Sequence, residues 1–262
     1  MGLIISGGLG FVVFAEVFAY RRMRGERKLR RHLTLHTRVV FQITAVLILV
    51  SALLIMLIEA FNIFKGHPWY EMILPSLFLS VTPRTAGYNT VDIGGLSNPA
   101  LLLIIALMII GASPGSTGGG IKTTTFASLI ALVFAQIKQR PYVTILNRRL
   151  PADVISKTVA TVALYLLTVF MASILLEITE SWGTPHQIHQ GTYLDNLFEV
   201  VSALGTVGLS TGITAQLTVG GKLVIILCMF TGRLGTLVIA AFLLGTPRSV
   251  PYSLPEERVM IG

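Results

Sequence analysis

Apolar stretches separated by polar connections organise the chain from end to end. Residues 1–20 are apolar and glycine-rich, with Glu16 as their lone acid, and residues 39–63 form a second run. A run of that length suffices to cross roughly 30 Å of hydrocarbon as a helix. The next run, WYEMILPSLFLSV at 69–81, is much shorter. At about 1.5 Å per residue it reaches only partway through a bilayer, so a short apolar piece flanked by full spans predicts a re-entrant segment. Residues 99–139 are too long for one simple span, and their middle reads GASPGSTGGG at 111–120. A helix does not persist through Pro114 and this cluster of glycines. Irregular backbone at membrane depth needs protein or a water-filled cavity to satisfy its polar groups, so the break predicts a cavity. Residues 154–178 predict another full span, 192–204 a second short piece, and 221–244 a last helix mildly interrupted at 231–233.

Composition supports the bilayer as solvent. Apolar residues make up 53% of the 262-residue chain and charged residues 12%, with a mean hydropathy of +0.77. The formal charge of +8 does not indicate nucleic acid, because a DNA-binding face needs a solvated scaffold and the basic residues lie between apolar runs. They gather at 21–38 and at Lys138, Arg140, Arg148, Arg149 and Lys157, which the positive-inside rule places in the cytoplasm. The first run lacks the basic start and cleavage site of a secretory signal, so it reads as a span whose C-terminal end is cytoplasmic. Connections 62–68 and 180–191 are then external, and the proline-bearing tail 247–262 is cytoplasmic. The single Cys228 sits in an apolar run and supports neither a disulfide framework nor a metal cluster.

The chain also repeats itself. Thr85-Ala86-Gly87-Tyr88-Asn89-Thr90 overlays Thr206-Val207-Gly208-Leu209-Ser210-Thr211 at a shift of 121 residues, which also aligns Gly111 with Gly232 and Ala100 with Gly221. Each copy reads span, external loop, half-helix, Thr-x-Gly turn, span, and the copies are parallel about an axis along the membrane normal. The expected division is a closing span of a preceding repeat plus basic loop (1–38), one repeat with a broken second span (39–150), another repeat (151–246) and the tail (247–262). The fold class expected is an all-α integral membrane protein.

A half-helix ending near mid-membrane presents the negative end of its dipole there, which favours a cation. The residues after it can turn backbone carbonyl oxygens inward to replace a hydration shell, and Gly87 and Gly208 can take the conformations this needs. A lone Thr-x-Gly is an ordinary turn; two, each after a short helix in a matched repeat, point to a filter. Here the strings RTAGYNTVD (84–92), GASPGSTGGGIKTTT (111–125), SALGTVGLSTG (202–212) and TGRLGT (231–236) resemble the Trk/Ktr/HKT superfamily of potassium transporters, and most of all the bacterial Ktr-type membrane subunit.

The resemblance runs over essentially the whole chain. It implies four span–pore-helix–span repeats around one pore, of which this sequence matches the third, the fourth and the end of the second. It assigns filter strands to Thr85, Ala86, Gly87 and Tyr88 and to Thr206, Val207, Gly208 and Leu209, binding K⁺ through backbone carbonyls. It makes Gly111, Ala112, Ser113, Pro114, Gly115, Ser116, Thr117, Gly118, Gly119 and Gly120 an intramembrane gating loop. A flexible loop of small residues suits that role on its own chemistry. The rival reading of 115–123 as a phosphate-binding loop fails, because Ile121 separates Gly120 from Lys122 and no strand precedes it.

Lys122 and Arg233 are cations in or beside membrane-embedded regions, where an unpaired charge is costly and functional by default. Arg233 follows the repeat-mate of Gly111 and is expected at gate depth, where the family carries an arginine that limits ion passage. Snorkelling to the cytoplasmic face is the other reading of Lys122. Glycine at 87 and 208 favours K⁺, since HKT members with serine at one filter glycine look Na⁺-preferring. The resemblance further implies Na⁺ as an activator, a homodimer, and a cytosolic nucleotide-binding regulatory ring docked on basic loops such as 21–31. No cofactor is expected, and no nucleophile–base pair suggests an enzyme. The alternatives are a non-conducting truncated fragment or scaffold subunit, or a Na⁺-permeable member. Glu59, Glu71, Glu177 and Glu180 read as solvated charges at the outer boundary. Asp195 and Glu199 lie four apart on the second half-helix, so that one of them could face the filter vestibule. His32, His36, His67, His186 and His189 show no ligand spacing.

Overall fold

The computed structural model describes residues 1–23, 33–183, 192–235 and 238. Most of the basic loop at 21–31 and the tail at 247–262 therefore lie outside the described residues, as do His32, His186 and His189. Helices dominate: α1 Gly2–Leu9, α2 Phe11–Met23, α3 Leu35–Glu59, α4 Trp69–Val81, α5 Asn98–Ile109, α6 Thr123–Ile137, α7 Ala152–Ser181, α8 Thr192–Leu204 and α9 Val219–Leu234. Two stretches follow the same order of long helix, short helix, turn and further helix: α3 to α5, and α7 to α9. Helices α3 and α7 are long and apolar enough to cross a membrane, and α1 with α2 would count as a third span if taken together.

The helix limits have local causes. The Thr34 hydroxyl accepts from Thr37 N at 3.4 Å and opens α3, and the Thr218 hydroxyl accepts from Gly221 N at 3.1 Å and opens α9. Pro99 sits in the first turn of α5, where its missing N–H costs nothing. Helix α5 stops at Ile109, the glycine-rich segment intervenes, and α6 resumes after Lys122.

One core joins the helices, with Ile55, Leu79, Ile104, Met108, Leu176, Phe198, Val201, Leu204 and Ile225 all buried in it. Helix α8 is its centre: from Phe198 to Leu204 every residue is buried, packed against α5, α7 and α9. The outer faces are apolar instead. Leu49 and Leu53 on α3, Leu167 and Phe170 on α7, and Leu227 and Phe230 on α9 are all more than half exposed. Patches of this kind suit a lipid surround.

The structure departs from the sequence reading at three places. Residues 1–20 do not form one straight span, because α1 and α2 meet at 95°. Gly10 takes φ +84° there, and a Cβ on it would lie 2.3 Å from the Pro114 carbonyl oxygen, while Phe11 N donates to Gly115 O at 3.2 Å. The chain bends in order to dock on the glycine-rich loop. The fold is not all-α as expected: in the second basic connection β1 Thr144–Ile145 pairs antiparallel with β2 Arg148–Arg149 across Leu146 and Asn147, both at positive φ, as a tight hairpin requires. The Arg149 guanidinium lies 3.7 Å from the centre of the Tyr142 ring. Finally, α9 runs unbroken through the interruption expected at 231–233 and reaches Leu234, with Gly235 at φ +87°; the remainder of the helix expected over 221–244 lies outside the described residues, except Val238.

Candidate functional site

Helices α4 and α8 each run directly into a turn, at 82–90 and 205–212, so that the negative ends of both helix dipoles face these turns. The two turns share an unusual backbone. Thr85 has φ +62° and Gly87 +70°; Thr206 has +53° and Gly208 +90°, whereas Ala86 and Val207 between them are not at positive φ. Successive carbonyls of an extended strand point to opposite sides, and reversing the hand of alternate residues turns them toward one side. For a β-branched threonine the left-handed region is a true outlier, costing about 1–3 kcal/mol, and it persists only where the surroundings enforce it. Here the helix ends do so: Ala86 N donates to Thr82 O at 3.2 Å, Thr206 N to Ala203 O at 3.0 Å and Val207 N to Ser202 O at 2.9 Å.

The turns touch. A Cβ on Gly87 would lie 2.5 Å from the Val207 carbonyl oxygen and 3.3 Å from Gly208 Cα, so only glycine fits. Hydroxyls at the helix ends hold the far side of each turn: Thr82 Oγ1 donates to Tyr88 O, and Ser202 Oγ donates to Leu209 O at 2.6 Å. Tyr88 and Leu209 thus have their carbonyls committed to their own helices. Among the described residues, no hydrogen-bond donor reaches the carbonyl oxygens of Thr85, Ala86, Gly87, Thr206, Val207 or Gly208.

The loop at 111–120 lies against the start of both turns. Its legs close where Ile121 N donates to Ile109 O at 2.9 Å, and a Cβ on Gly111 would sit 2.0 Å from Gly119 O. Ser113 N donates to Gly8 O at 2.9 Å, Ser113 Oγ meets Thr123 Oγ1 at 2.8 Å, and Ser116 Oγ donates to Ser113 O at 2.6 Å. Ala112 is buried beside Gly8, and Pro114 and Gly115 rest on Gly10 and Phe11. Gly118 packs on the Thr85 side chain, and Gly119 N donates to Thr206 Oγ1 at 2.8 Å. Both sequence-predicted cations reach this loop: Lys122 Nζ donates to Gly118 O, and Arg233 Nη1 to Thr117 O at 2.5 Å. They border a cavity of about 200 Å³ lined also by Gly118, Gly119, Gly120 and Tyr165.

Several carboxylates are not the solvated boundary charges that the sequence suggested. Glu59 is fully buried and accepts from Ser97 N at 3.0 Å, Ser97 Oγ at 2.5 Å and Asn62 Nδ2 at 2.8 Å. Glu180 accepts from Thr218 N at 3.1 Å and Thr218 Oγ1 at 2.7 Å. Each therefore ties the end of a long helix to the residue that caps the start of another, α3 to α5 and α7 to α9, so that two backbone N–H groups, those of Ser97 and Thr218, gain a negative partner. Glu177 accepts from Asn196 Nδ2 at 3.0 Å, while Glu71 does face solvent beside His67. The sequence held a signal for the pairs, since Glu59 and Ser97 recur as Glu180 and Thr218 at the same 121-residue shift. Arg84, next to Thr85, is buried and donates from Nη2 to Thr44 O at 3.2 Å, which sequence reasoning did not single out. Glu199 is buried behind the second turn, where it accepts from Ser210, Thr211 and Thr214.

Residues 1–248 match the model of the cation transport protein family TrkH. The chain is 42% identical to Ktr system potassium uptake protein D of Bacillus subtilis (strain 168), covering 100% of this chain and 56% of that protein. It is 35% identical to potassium/sodium uptake protein NtpJ of Enterococcus hirae, covering 99% of this chain and 56% of the relative. The chain thus spans little more than half the length of these relatives. Among solved structures, the potassium transporter TrkH of Vibrio parahaemolyticus superposes with a TM-score of 0.70 at 20% identity, over 93% of this chain and 50% of that one.

Proposed function

The chain belongs to the TrkH family of cation transport proteins, and from that premise we propose that it supplies two filter strands of a K⁺ uptake pathway in the cell membrane. The observation that carries this reading is the pair of touching turns with six carbonyl oxygens that no donor among the described residues reaches. Thr85, Ala86 and Gly87, with Thr206, Val207 and Gly208, offer these oxygens to a dehydrated K⁺, which requires no bond-breaking chemistry and no cofactor. Helices α4 and α8 act as pore helices of two parallel repeats, and their dipoles favour a cation at the turns. Ions pass in single file, with K⁺ as substrate and Na⁺ as an activator.

Residues 111–120 form the gate in this reading. The loop rests on the threonines that begin both strands, and Lys122 and Arg233 hold it there through consecutive carbonyls. The fixed charge of Arg233 beside the path raises the barrier to a cation. Membership of the family also supports a homodimer and a cytosolic nucleotide-binding regulatory ring, with the basic connections, among them the 144–149 hairpin, facing the cytoplasm.

The direct test is ⁸⁶Rb⁺ uptake by a K⁺-uptake-deficient bacterium expressing the native gene with Gly208→Ser. The substitution is expected to lower K⁺-over-Na⁺ preference and growth on limiting K⁺. Native growth and a native ion ratio, with normal amounts of protein in the membrane, would contradict the filter assignment.

A further inference from the structure

Glu199 projects from α8 behind the second turn and is only 5% exposed. Its Oε1 accepts from Ser210 Oγ at 2.5 Å and Thr211 N at 3.2 Å, and its Oε2 from Thr214 Oγ1 at 2.7 Å. All three donors lie on the stretch that leaves the turn, beginning two residues after Gly208. The end of the turn nearer the loop is held differently, by Gly119 N on Thr206 Oγ1.

The three bonds satisfy the carboxylate's lone pairs but not its charge. Among the described residues, His67 with Glu71 is the one ion pair, and no described Lys, Arg or His pairs with Glu199. A buried carboxylate without a counter-charge is expensive, and protein folds normally supply a cation for it. The carbonyls of Thr206, Val207 and Gly208 lie in the same turn, two to four residues before Ser210, and among the described residues no donor reaches them. These oxygens cannot supply a positive charge themselves; a cation resting on them can. The first turn lacks this arrangement, since the position 121 residues before Glu199 is Phe78.

We propose that Glu199 is a specificity-determining positioning residue, whose three hydrogen bonds fix the Ser210 end of the turn and whose charge is balanced by a monovalent cation held on the carbonyls of Thr206–Gly208. The proposal rests on the reading of these turns as a cation filter. It makes the second turn the tighter of the two, because its geometry is braced on both ends and its field is negative. A dehydrated K⁺ gains from the charge; a smaller Na⁺ is excluded only while the brace keeps the oxygens apart.

The test measures ⁸⁶Rb⁺ uptake and its inhibition by Na⁺ in cells expressing the native gene, with membrane protein quantified. Glu199→Gln keeps the volume and removes the charge, and is expected to raise the half-saturating Rb⁺ concentration about tenfold through loss of the negative field at the turn. Na⁺ should inhibit at correspondingly lower concentration, with maximal rate per protein changed less. Glu199→Asp, which restores the charge, should recover part of the Rb⁺ affinity; a purely structural role would show no such rescue. Ser210→Ala, which leaves the charge and removes one bond, should shift both readouts about two- to threefold. Native half-saturation and native Na⁺ exclusion in Glu199→Gln would overturn the proposal. Should that variant fail to accumulate, the same result in Ser210→Ala combined with Thr214→Val would overturn it. Gly208→Ser is run in parallel: if it changes the ion ratio while the Glu199 and Ser210 variants do not, this inference fails and the filter reading stands; if none of them changes it, both fail.

Discussion

Gly87 and Gly208 both hold a backbone that disfavours a side chain, and Gly87 has a second, separable constraint. Both hold positive φ, and a side chain on Gly87 would enter the Val207 carbonyl oxygen. Gly87→Ala therefore combines a disfavoured backbone with a main-chain clash, and should cost at least about 1–2 kcal/mol in the turn. We expect a clear fall in ⁸⁶Rb⁺ uptake with protein still in the membrane; native uptake would show that the turns can part without consequence. The threonines before them are the converse case, holding a conformation that glycine would hold more easily. Their side chains explain why they are there: Gly119 N is bound by the Thr206 hydroxyl, and Gly118 rests on Thr85. The carboxylates Glu59 and Glu180 were misread as surface charges because composition reports neighbours along the chain, whereas Ser97 and Thr218 lie 38 residues away. Glu59→Ala removes three accepted bonds from a buried site, and should destabilise the purified protein by about 1–3 kcal/mol. A thermal unfolding midpoint equal to the native one would contradict that role.

The short helices were legible in the sequence, since 69–81 and 192–204 are bounded by polar connections and turn residues that no tertiary contact alters. The loop between α5 and α6 was legible as a break for the same reason: proline and clustered glycine interrupt a helix wherever they occur. The bend at Gly10 was not. Its cause is the backbone of Pro114 and Gly115, about a hundred residues on, and an apolar run carries no mark of such a partner. The same loop joins α1, α2, both turns, α6 and α9 through main-chain groups, so its position is set by many small contacts and two cations. Replacing Arg233 with Gln removes the charge and weakens the bond to Thr117 O. If the loop obstructs the path, this variant should raise ⁸⁶Rb⁺ flux several-fold, as should shortening 115–120. A well-folded variant with native or reduced flux would argue against an obstructing loop.

The chain as a body presents apolar faces outward and gathers its backbone irregularities at the turns and the loop, packed against one another. That distribution suits a multi-pass membrane protein, and α8, the most buried helix, leads into one of the two turns. The membership of the chain in a cation transport family and its superposition on TrkH agree with the class read from its hydropathy and motifs. The sidedness is open to a simple check: in a Cys228→Ser background, a cysteine at Asn147 in the hairpin should react with a membrane-impermeant thiol reagent only when the cytoplasmic side is exposed. Reaction in intact cells would invert the topology. The central claim is that main-chain oxygens after two short helices hold a dehydrated cation. Anomalous diffraction from crystals of the native protein grown in Rb⁺ measures this directly. A Rb⁺ peak within coordination distance of carbonyl oxygens from both 85–87 and 206–208 is the expected result. Rb⁺ bound elsewhere with none at these oxygens, or turns that face lipid, would contradict the account.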